Sequence, residues 1–230
     1  MSSLDLSAEL PGGGRVLFTD RTHGNMSSVD GEDREHGALA RTRHRELIGV
    51  ASLARVYQVH GTAMRCVEDC STEDLSQDEL PRSDAQITTR TDLGLMVLAA
   101  DCLPVALGRD GAVAMIHAGW RGLAAGIIEQ VVRALNESAG DGGTELAAVI
   151  GPGAGPCCYE VGPEVHDALG DHGRGIAKID LRSIARERLT AAGIDRVEDR
   201  GGCTICDERY FSHRREGERA GRMAGIAWLS

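Results

Sequence analysis

The fold is decided by residues 94–117, which read GLMVLAADCLPVALGRDGAVAMIH. Three apolar segments of strand length follow one another here, at residues 94–100, 105–107 and 112–117, and Gly-Arg-Asp-Gly separates the last two. Apolar runs bounded by turn-forming residues are typical of buried strands, and a short Gly/Asp break between two runs predicts a hairpin. We therefore expect Cys102 and His117 to lie close together at one edge of a sheet.

Strands and helices are mixed along the rest of the chain without strict alternation. Further strands are predicted at residues 15–19, 55–60, 85–89 and 145–150, with a short last one closed by Cys203 and Thr204. Helical patterns cover residues 37–54, 123–138, 162–169 and 180–192. The prediction is an α+β (mixed α/β) fold, with one domain of mixed β-sheets flanked by helices at residues 15–230, after a loose tail at residues 1–14.

Composition narrows the class of protein. The 230 residues are 42% apolar but only 3% aromatic, so the core has to be built from Ala, Val, Leu and Ile. A net charge of -10 argues against a nucleic-acid partner. The first ten residues lack the pattern of a signal peptide, and no apolar run is long enough for a membrane span. A cytoplasmic protein is expected; the sequence does not determine its oligomeric state, for which a monomer is our expectation.

His60, Cys102 and His117 are the candidate metal ligands, and they come from distant segments. Two imidazoles and one thiolate leave a fourth position of zinc open, as in catalytic sites, whereas structural sites usually have four protein ligands. Taken singly, such a cysteine is more often a buried apolar residue, and the spacing alone is no known zinc signature. The dense His-Ala-Gly-Trp-Arg-Gly run that begins at His117 favours a site. We predict one catalytic zinc ion per chain.

The remaining cysteines allow other interpretations. Residues 203–206 read Cys-Thr-Ile-Cys, which is either half of a zinc ribbon or a redox pair. A ribbon needs a second CxxC, but Cys66 and Cys70 have three residues between them, and Cys157 and Cys158 are adjacent. The residues after Cys206 do not open a helix as a thioredoxin-like motif would. The sequence leaves the role of this pair open.

Five sequence blocks, in order, carry a resemblance to a known family. They read Gln-Val-His-Gly at 58–61, Ala-Asp-Cys-Leu-Pro-Val at 100–105, His-Ala-Gly-Trp-Arg-Gly-Leu at 117–123, Ile-Gly-Pro at 150–152 with Cys-Cys-Tyr-Glu-Val-Gly at 157–162, and Phe-Ser-His-Arg-Arg at 211–215 with Gly-Arg at 221–222. The chain resembles the laccase-domain proteins, also called multicopper polyphenol oxidase or YfiH-like proteins, which are regarded as purine nucleoside phosphorylases with adenosine deaminase activity. The resemblance implies a four-layer αββα fold, purine nucleosides and phosphate as substrates, and zinc at His60, Cys102 and His117.

The sequence departs from the family in one block and from its older name in chemistry. Where the family has Thr-x-Arg-x-Gly-Gly-x-Ser, residues 19–27 place His23 at the first Gly, so the loop at residues 27–36 is expected to differ. A four-copper oxidase needs many histidines, typically in His-x-His pairs. This chain has eight histidines and no such pair. Polyphenol oxidation is therefore not expected, and copper bound at a His2Cys site would be adventitious.

Three arginines are candidates for holding phosphate. Phosphorolysis needs cations that bind the dianion and stabilise charge in the transition state. Arg121, four residues after His117, is the first candidate, and Arg21 and Arg214 are the next. Surface ion pairs are the alternative role for each of them.

Polar residues near the ligands are candidates for contacts with the nucleoside. Asp101 adjoins Cys102 and is predicted to orient a ligand or bind a sugar hydroxyl, with a strand-end cap as the alternative. Gln58 and Asn25 can both donate to and accept from a purine edge, although a turn hydrogen bond explains Asn25 equally well. Glu160 is a candidate proton shuttle.

Two hypotheses from other classes stay open. In the first, Cys102 is the nucleophile of a hydrolase, with His117 or His60 as its base. Relatives have been linked to correcting cytoplasmic cell-wall precursors, so amide bonds of such precursors would be its substrates. In the second, the chain stores metal or binds a partner without chemistry. A zinc ion required for turnover would favour the nucleoside enzyme, and turnover lost on Cys102→Ala would exclude the binding module.

Overall fold

The computed structural model describes residues 6–27, 32–69, 75–138, 145–170 and 175–230. In that part of the chain the strands are β1 (Ser7–Glu9), β2 (Gly14–Phe18), β3 (Ser52–Ala54), β4 (Met64–Cys66), β5 (Ala85–Thr88), β6 (Leu93–Ala99), β7 (Leu103–Arg109), β8 (Ala112–Ala118), β9 (Ala147–Ile150), β10 (Glu160–Val161), β11 (Ala177–Lys178), β12 (Arg196–Asp199) and β13 (Met223–Leu229). The α-helices are α1 (Glu32–Ile48), α2 (Trp120–Ala124), α3 (Ile127–Ser138), α4 (Pro163–Leu169), α5 (Leu181–Ala191) and α6 (His213–Glu216).

Two mixed sheets form the centre of the molecule. One has the strand order β1-β2-β13-β6-β3, and the other has the order β12-β9-β7-β8-β5-β4. The hairpin predicted from the sequence is confirmed, because β7 and β8 pair antiparallel from Leu103 opposite Ala118 to Arg109 opposite Ala112. Its two-residue turn includes Gly111 at φ 73°, a backbone conformation that glycine adopts without strain. This register places the start of β7, directly after Cys102, beside the end of β8.

Three apolar clusters show the order of the layers. Residues of both sheets, among them Val97 and Met115, pack against each other between the sheets. Helices α3 and α5 cover the outer face of the six-stranded sheet, where Ile128 and Leu189 belong to the same cluster as Ile116. Helix α1 lies on the outer face of the five-stranded sheet. The order helix, sheet, sheet, helix confirms the αββα fold, and the clusters are rich in Ala, Val, Leu and Ile as the composition requires.

The region before His60 differs from the prediction. The helix expected at residues 37–54 begins at Glu32 and ends at Ile48, because Gly49 takes a left-handed conformation with φ 75°. Its last predicted residues form β3 instead. The strand expected at residues 55–60 is absent, and only Tyr57 makes an isolated bridge, to Arg82.

Three other local predictions were wrong. The helix expected at residues 123–138 is divided into α2 and α3 at Gly126, which has φ 83°. Cys203 makes one bridge to Gly153 rather than closing a strand. Residues 6–14, predicted to be a loose tail, include β1, and Leu6 and Leu10 are buried there because they cover the edge of the core. Residues 1–5 of that tail and Cys70 lie outside the described residues.

None of the helices within the described ranges is both long and apolar enough to cross a bilayer.

Candidate metal centre

The three predicted ligands meet at one end of the six-stranded sheet. His60 lies in the loop after β3, Cys102 in the turn between β6 and β7, and His117 near the end of β8. Their potential ligand atoms all lie within 4.8 Å of one another. The rings of His60 and His117 meet edge to face, with their centroids 4.8 Å apart. The hairpin thus brings Cys102 and His117 together, and the loop adds His60.

Asp84, which the sequence analysis missed, holds two of these ligands in place. Its fully buried carboxylate accepts a hydrogen bond of 2.9 Å from Nδ1 of His117. The same carboxylate accepts the backbone N–H groups of Val59, His60 and Gly61 at 3.2, 2.9 and 2.7 Å. These bonds hold the loop at His60, a non-glycine residue in the left-handed region with φ 59°.

The position of Asp84 follows from strand pairing rather than from a sequence motif. Asp84 directly precedes β5, whose first residue, Ala85, lies opposite Ile116 of β8. Asp84 is therefore placed against His117, and its carbonyl oxygen accepts the backbone N–H of His117 at 2.7 Å. The only local signal for Asp84 is a carboxylate at the entrance of an apolar strand, and its partner is determined by the pairing of β5 with β8.

The thiol and the imidazole of this group stabilise each other's charged forms. Burial raises the pKa of Cys102, but the positive charges and hydrogen bonds of His117 and His60 outweigh this effect and bring the pKa down to about 6. Burial also lowers the pKa of His117, yet the Cys102 thiolate and the Asp84 carboxylate raise it to about 9. Burial opposes ionisation of Asp84 as well, but its bonds to His117 and to the loop keep its pKa below the usual value. Without a metal, the group is therefore a thiolate paired with an imidazolium.

The donor set fits zinc. One thiolate and two imidazoles are ligands that zinc prefers, and three protein ligands leave a position for water or substrate. The Asp84 carboxylate at Nδ1 of His117 fixes the imidazole ring so that Nε2 faces the other two ligands. A metal-binding histidine usually has such a carboxylate, carbonyl or water at its second ring nitrogen. His60 is exposed, so the group opens to solvent on one side.

The three ligands line a cavity of about 430 Å³ whose wall is rich in cations and aromatic rings. Arg121, Arg214 and Arg222 all contribute to this wall, as do Trp120 and Tyr159. The guanidinium of Arg121 lies 4.3 Å from the ring centroid of Trp120 and makes no ion pair or hydrogen bond within the described part of the chain. An exposed guanidinium with no carboxylate partner at a cavity wall is suited to bind an anion.

Arg214 and Asp101 are both at the cavity, and they are joined to each other. The Asp101 carboxylate accepts the backbone N–H of Arg214 and the hydroxyl of Thr204, each at 2.7 Å. Arg214 donates to the carbonyl oxygen of Glu160 at 2.7 Å and lies over the ring of Tyr159. Asp101 therefore positions α6 beside the ligands, and its own backbone is held in the left-handed region with φ 94°. Glu160 lines an adjacent cavity of about 380 Å³.

Three predicted substrate residues are occupied elsewhere. Arg21 pairs with Glu216 and donates to the carbonyl oxygen of Tyr210, outside the cavity wall. Asn25 accepts two backbone N–H groups, as the turn interpretation proposed, and also lies outside the wall. Gln58 is in the wall, but its amide donates to the carbonyl oxygen of Leu98 at 2.7 Å and accepts that residue's N–H at 2.8 Å. Arg222, not a candidate before, lies in the cavity wall, where its guanidinium donates to the carbonyl oxygens of Ala220 and Gly221.

Comparisons with known proteins cover nearly the whole chain. Residues 15–230 match the family model described as multi-copper polyphenol oxidoreductase laccase. A purine nucleoside phosphorylase of Xylella fastidiosa (strain Temecula1) is 37% identical, covering 95% of this chain and 88% of that protein. One from Streptomyces coelicolor is 33% identical, covering 94% of this chain and 96% of that protein.

Solved structures share the same fold. The YfiH protein of Bacillus licheniformis superposes with a TM-score of 0.85 at 25% identity, covering 94% of this chain and 93% of that one. A Neisseria meningitidis protein superposes with a TM-score of 0.84 at 28% identity, covering 99% of this chain and 100% of that one. The likeness in fold thus extends over both sheets.

Proposed function

Because the chain belongs to the multi-copper polyphenol oxidoreductase laccase family, whose curated relatives are named purine nucleoside phosphorylases, we propose that it is a zinc-dependent purine nucleoside phosphorylase. We include adenosine deaminase activity in the proposal, with adenosine, inosine, guanosine and methylthioadenosine as substrates. A cytoplasmic location belongs to it as well, since the Cys102 thiolate has to stay reduced. Oxidation of phenols is not part of the proposed function, because eight histidines without a His-x-His pair do not supply a four-copper centre.

One observation carries the proposal: an open three-ligand group and an anion site share one cavity. His60, Cys102 and His117 are positioned to hold zinc at the wall of the cavity. Arg121 is at the same wall with no anionic partner among the described residues. A nucleoside and phosphate need both features, a polar centre for the base or sugar and cations for the dianion.

In deamination, water replaces the amino group at C6 of adenosine, so that ammonia leaves and inosine forms. Zinc held by His60, Cys102 and His117 would supply Lewis-acid chemistry, lowering the pKa of a water molecule toward neutrality. Asp84 keeps the imidazole of His117 oriented throughout. Trp120 and Tyr159 offer rings against which a purine can stack in the cavity.

In phosphorolysis, a phosphate oxygen attacks C1′ of the ribose and the C1′–N9 bond breaks. The electron pair of the C1′–N9 bond goes to N9 of the base, and the base takes up a proton. The products are the free purine base and ribose 1-phosphate. Arg121 binds the dianion, and Arg214 and Arg222 add positive charge at the same wall. A bidentate guanidinium holds the phosphate in line with the bond that breaks and lowers the cost of its approach.

The test is incubation of the pure protein with adenosine, with and without phosphate, followed by separation of adenine, inosine and hypoxanthine. Adenine that forms only with phosphate is expected, together with inosine in both samples. Cys102→Ala should lose both products, whereas Cys66→Ser, which changes an exposed thiol outside the site, should keep them. Absence of every purine product from a zinc-loaded, folded protein would refute the proposal.

A second candidate function rests on a different observation, the row Cys102, His117 and Asp84. His117 hydrogen-bonds the Cys102 thiol and, through Nδ1, the Asp84 carboxylate. This is the arrangement of a nucleophile, its base and the group that orients the base, which suits a hydrolase acting on amide bonds of cell-wall precursors. Full turnover of such an amide after removal of zinc would favour this function over the first.

A further inference from the structure

Four cysteines that the candidate centre does not use lie together at another place. Cys157 and Cys158 are in the loop after β9, and Cys203 and Cys206 are in the loop after β12. Because β9 and β12 are parallel neighbours, both loops leave the same edge of the sheet. The four sulfur atoms lie within 4.8 Å of one another, and those of Cys157 and Cys206 are 3.6 Å apart.

These distances fit a single tetrahedral metal ion. Zinc binds thiolates at about 2.3 Å, so two sulfurs of a tetrahedral site are separated by roughly 3.8 Å. A four-sulfur group of this size therefore needs only small side-chain shifts to close around one ion. Four protein ligands without an open position are the usual composition of a structural zinc site.

The backbone is built to receive a thiolate at Cys203. Its sulfur accepts the N–H of Gly155 at 3.2 Å and is also hydrogen-bonded by the N–H groups of Ile205 and Cys206. A side chain at position 155 would not fit, since a Cβ there would lie 2.9 Å from Cβ of Cys203. Burial raises the pKa of Cys203, but these N–H donors outweigh the burial and bring the pKa down to about 7.

We propose that Cys157, Cys158, Cys203 and Cys206 bind a second, structural zinc ion, separate from the three-ligand centre. The ion joins the two loops where the sheet pairing ends. A zinc ribbon takes two thiolates from each of two CxxC motifs. Here the single CxxC supplies two of the four thiolates, and the adjacent Cys157 and Cys158 supply the other two. The chain then holds two zinc ions rather than the one predicted from its sequence.

The joined loops form part of the cavity wall. Thr204, inside the CxxC, donates its hydroxyl to Asp101, and Ala154 donates its N–H to the carbonyl oxygen of Asp101 at 2.8 Å. Tyr159, directly after Cys158, lies in the wall with Arg214 over its ring. A metal ion at the four cysteines therefore holds Asp101, which adjoins Cys102, in position. It also holds Tyr159, against which Arg214 packs.

The test is the metal content of protein purified without oxygen from cells supplied with both zinc and iron. Wild type should hold about two zinc ions per chain, and Cys157→Ser with Cys206→Ser should hold about one. Cys66→Ser, which removes one exposed thiol outside the four-cysteine group, is the control and should hold two. Cys102→Ala should lose the other ion and keep the one at the four cysteines.

A second measurement on wild type does not depend on a variant that folds. Alkylation of the native protein should spare the four cysteines and label them after zinc is removed by a chelator, while Cys66 is labelled in both cases. An unchanged zinc content in the folded protein with Cys157→Ser and Cys206→Ser, iron in place of zinc, or equal labelling with and without chelator would each overturn the proposal. A mass lower by two hydrogens for each linked pair, showing disulfides among these cysteines in the protein as purified, would overturn it too.

Discussion

The Asp84→Asn variant should show how much the hydrogen bonds of Asp84 contribute to the candidate metal centre, because it leaves all three ligands in place. The carboxylate accepts four N–H donors, one from His117 and three from the backbone at Val59, His60 and Gly61. An Asn side chain keeps the shape and one oxygen, so it accepts two of these donors and turns an NH2 group toward the others. The change therefore leaves about two donors without an acceptor, and those from the loop at Val59, His60 and Gly61 are partly buried.

The magnitude follows from this count. A buried donor left unpaired costs about 1–3 kcal/mol, and partly buried donors are at the low end because water can reach them, so the free energy of unfolding should fall by about 2 kcal/mol. Loss of the group that orients a metal-binding histidine typically weakens metal affinity by about 10–100-fold. Release of the His60 loop from its left-handed conformation acts in the same direction, because the ligand then has to be repositioned on binding.

The assay is competition for zinc with a chelator of known affinity, together with thermal unfolding of the metal-free protein. Asp92→Asn is the matched control, since Asp92 is a partly exposed carboxylate that pairs with the side chain of Arg90 and lies outside the candidate centre. It should leave both the free energy of unfolding and the zinc affinity close to those of wild type, because an exposed ion pair contributes little to stability. If Asp84→Asn binds zinc as tightly as wild type, the orientation of His117 by Asp84 is not what supports the centre.

Further predictions concern the cavity and its titration. Arg121→Ala should reduce the rate of phosphorolysis about 10-fold more than the rate of deamination, because only phosphorolysis binds a dianion. Arg121→Lys should restore phosphorolysis only in part, because Lys lacks the bidentate guanidinium. Equal losses of both products would show that Arg121 stabilises the fold rather than binding phosphate. Zinc affinity should rise about 10-fold per pH unit between about 6 and 9, because binding displaces the proton that His117 holds up to its pKa of about 9 while Cys102, with a pKa of about 6, is already ionised. A flat affinity over that range, measured by chelator competition, would contradict the thiolate–imidazolium pair. Gln58→Ala should lower the free energy of unfolding by about 1–3 kcal/mol, since both amide atoms of Gln58 are hydrogen-bonded to the backbone of Leu98. The ratio of adenosine to inosine turnover should not change. A changed ratio with unchanged stability would show instead that Gln58 contacts the purine.

The parts of the site that depend on chemistry and local pattern could be predicted from the sequence. Cys102 directly precedes one strand of a hairpin and His117 lies on the other, and a hairpin is a local structure that a Gly/Asp turn between apolar runs indicates. His60 was harder, because it lies in a loop held from afar rather than on the predicted strand. It was selected by its place at the end of a short apolar run and by the resemblance of residues 58–61 to the family.

The parts that depend on long-range pairing could not be predicted. Asp84 meets His117 because β5 pairs with β8, and the four cysteines meet because β9 and β12 are neighbours. No local period records either pairing. The arginines show the same limit: Arg121 follows a ligand in sequence and is at the cavity, while Arg21 is drawn away by Glu216 on α6.

The central position of β13 has a consequence for how the protein is made. The strand lies between β2 and β6, which do not pair with each other, and every residue from Met223 to Leu229 is buried. Synthesis from Ala99 to Met223 takes about 6–25 s, and over that time a nascent chain holds two apolar strands, β2 and β6, whose shared partner has not yet been made. We expect the growing chain to need protection from aggregation until its last strand emerges, and the cavity wall at Arg222 to form only at that moment.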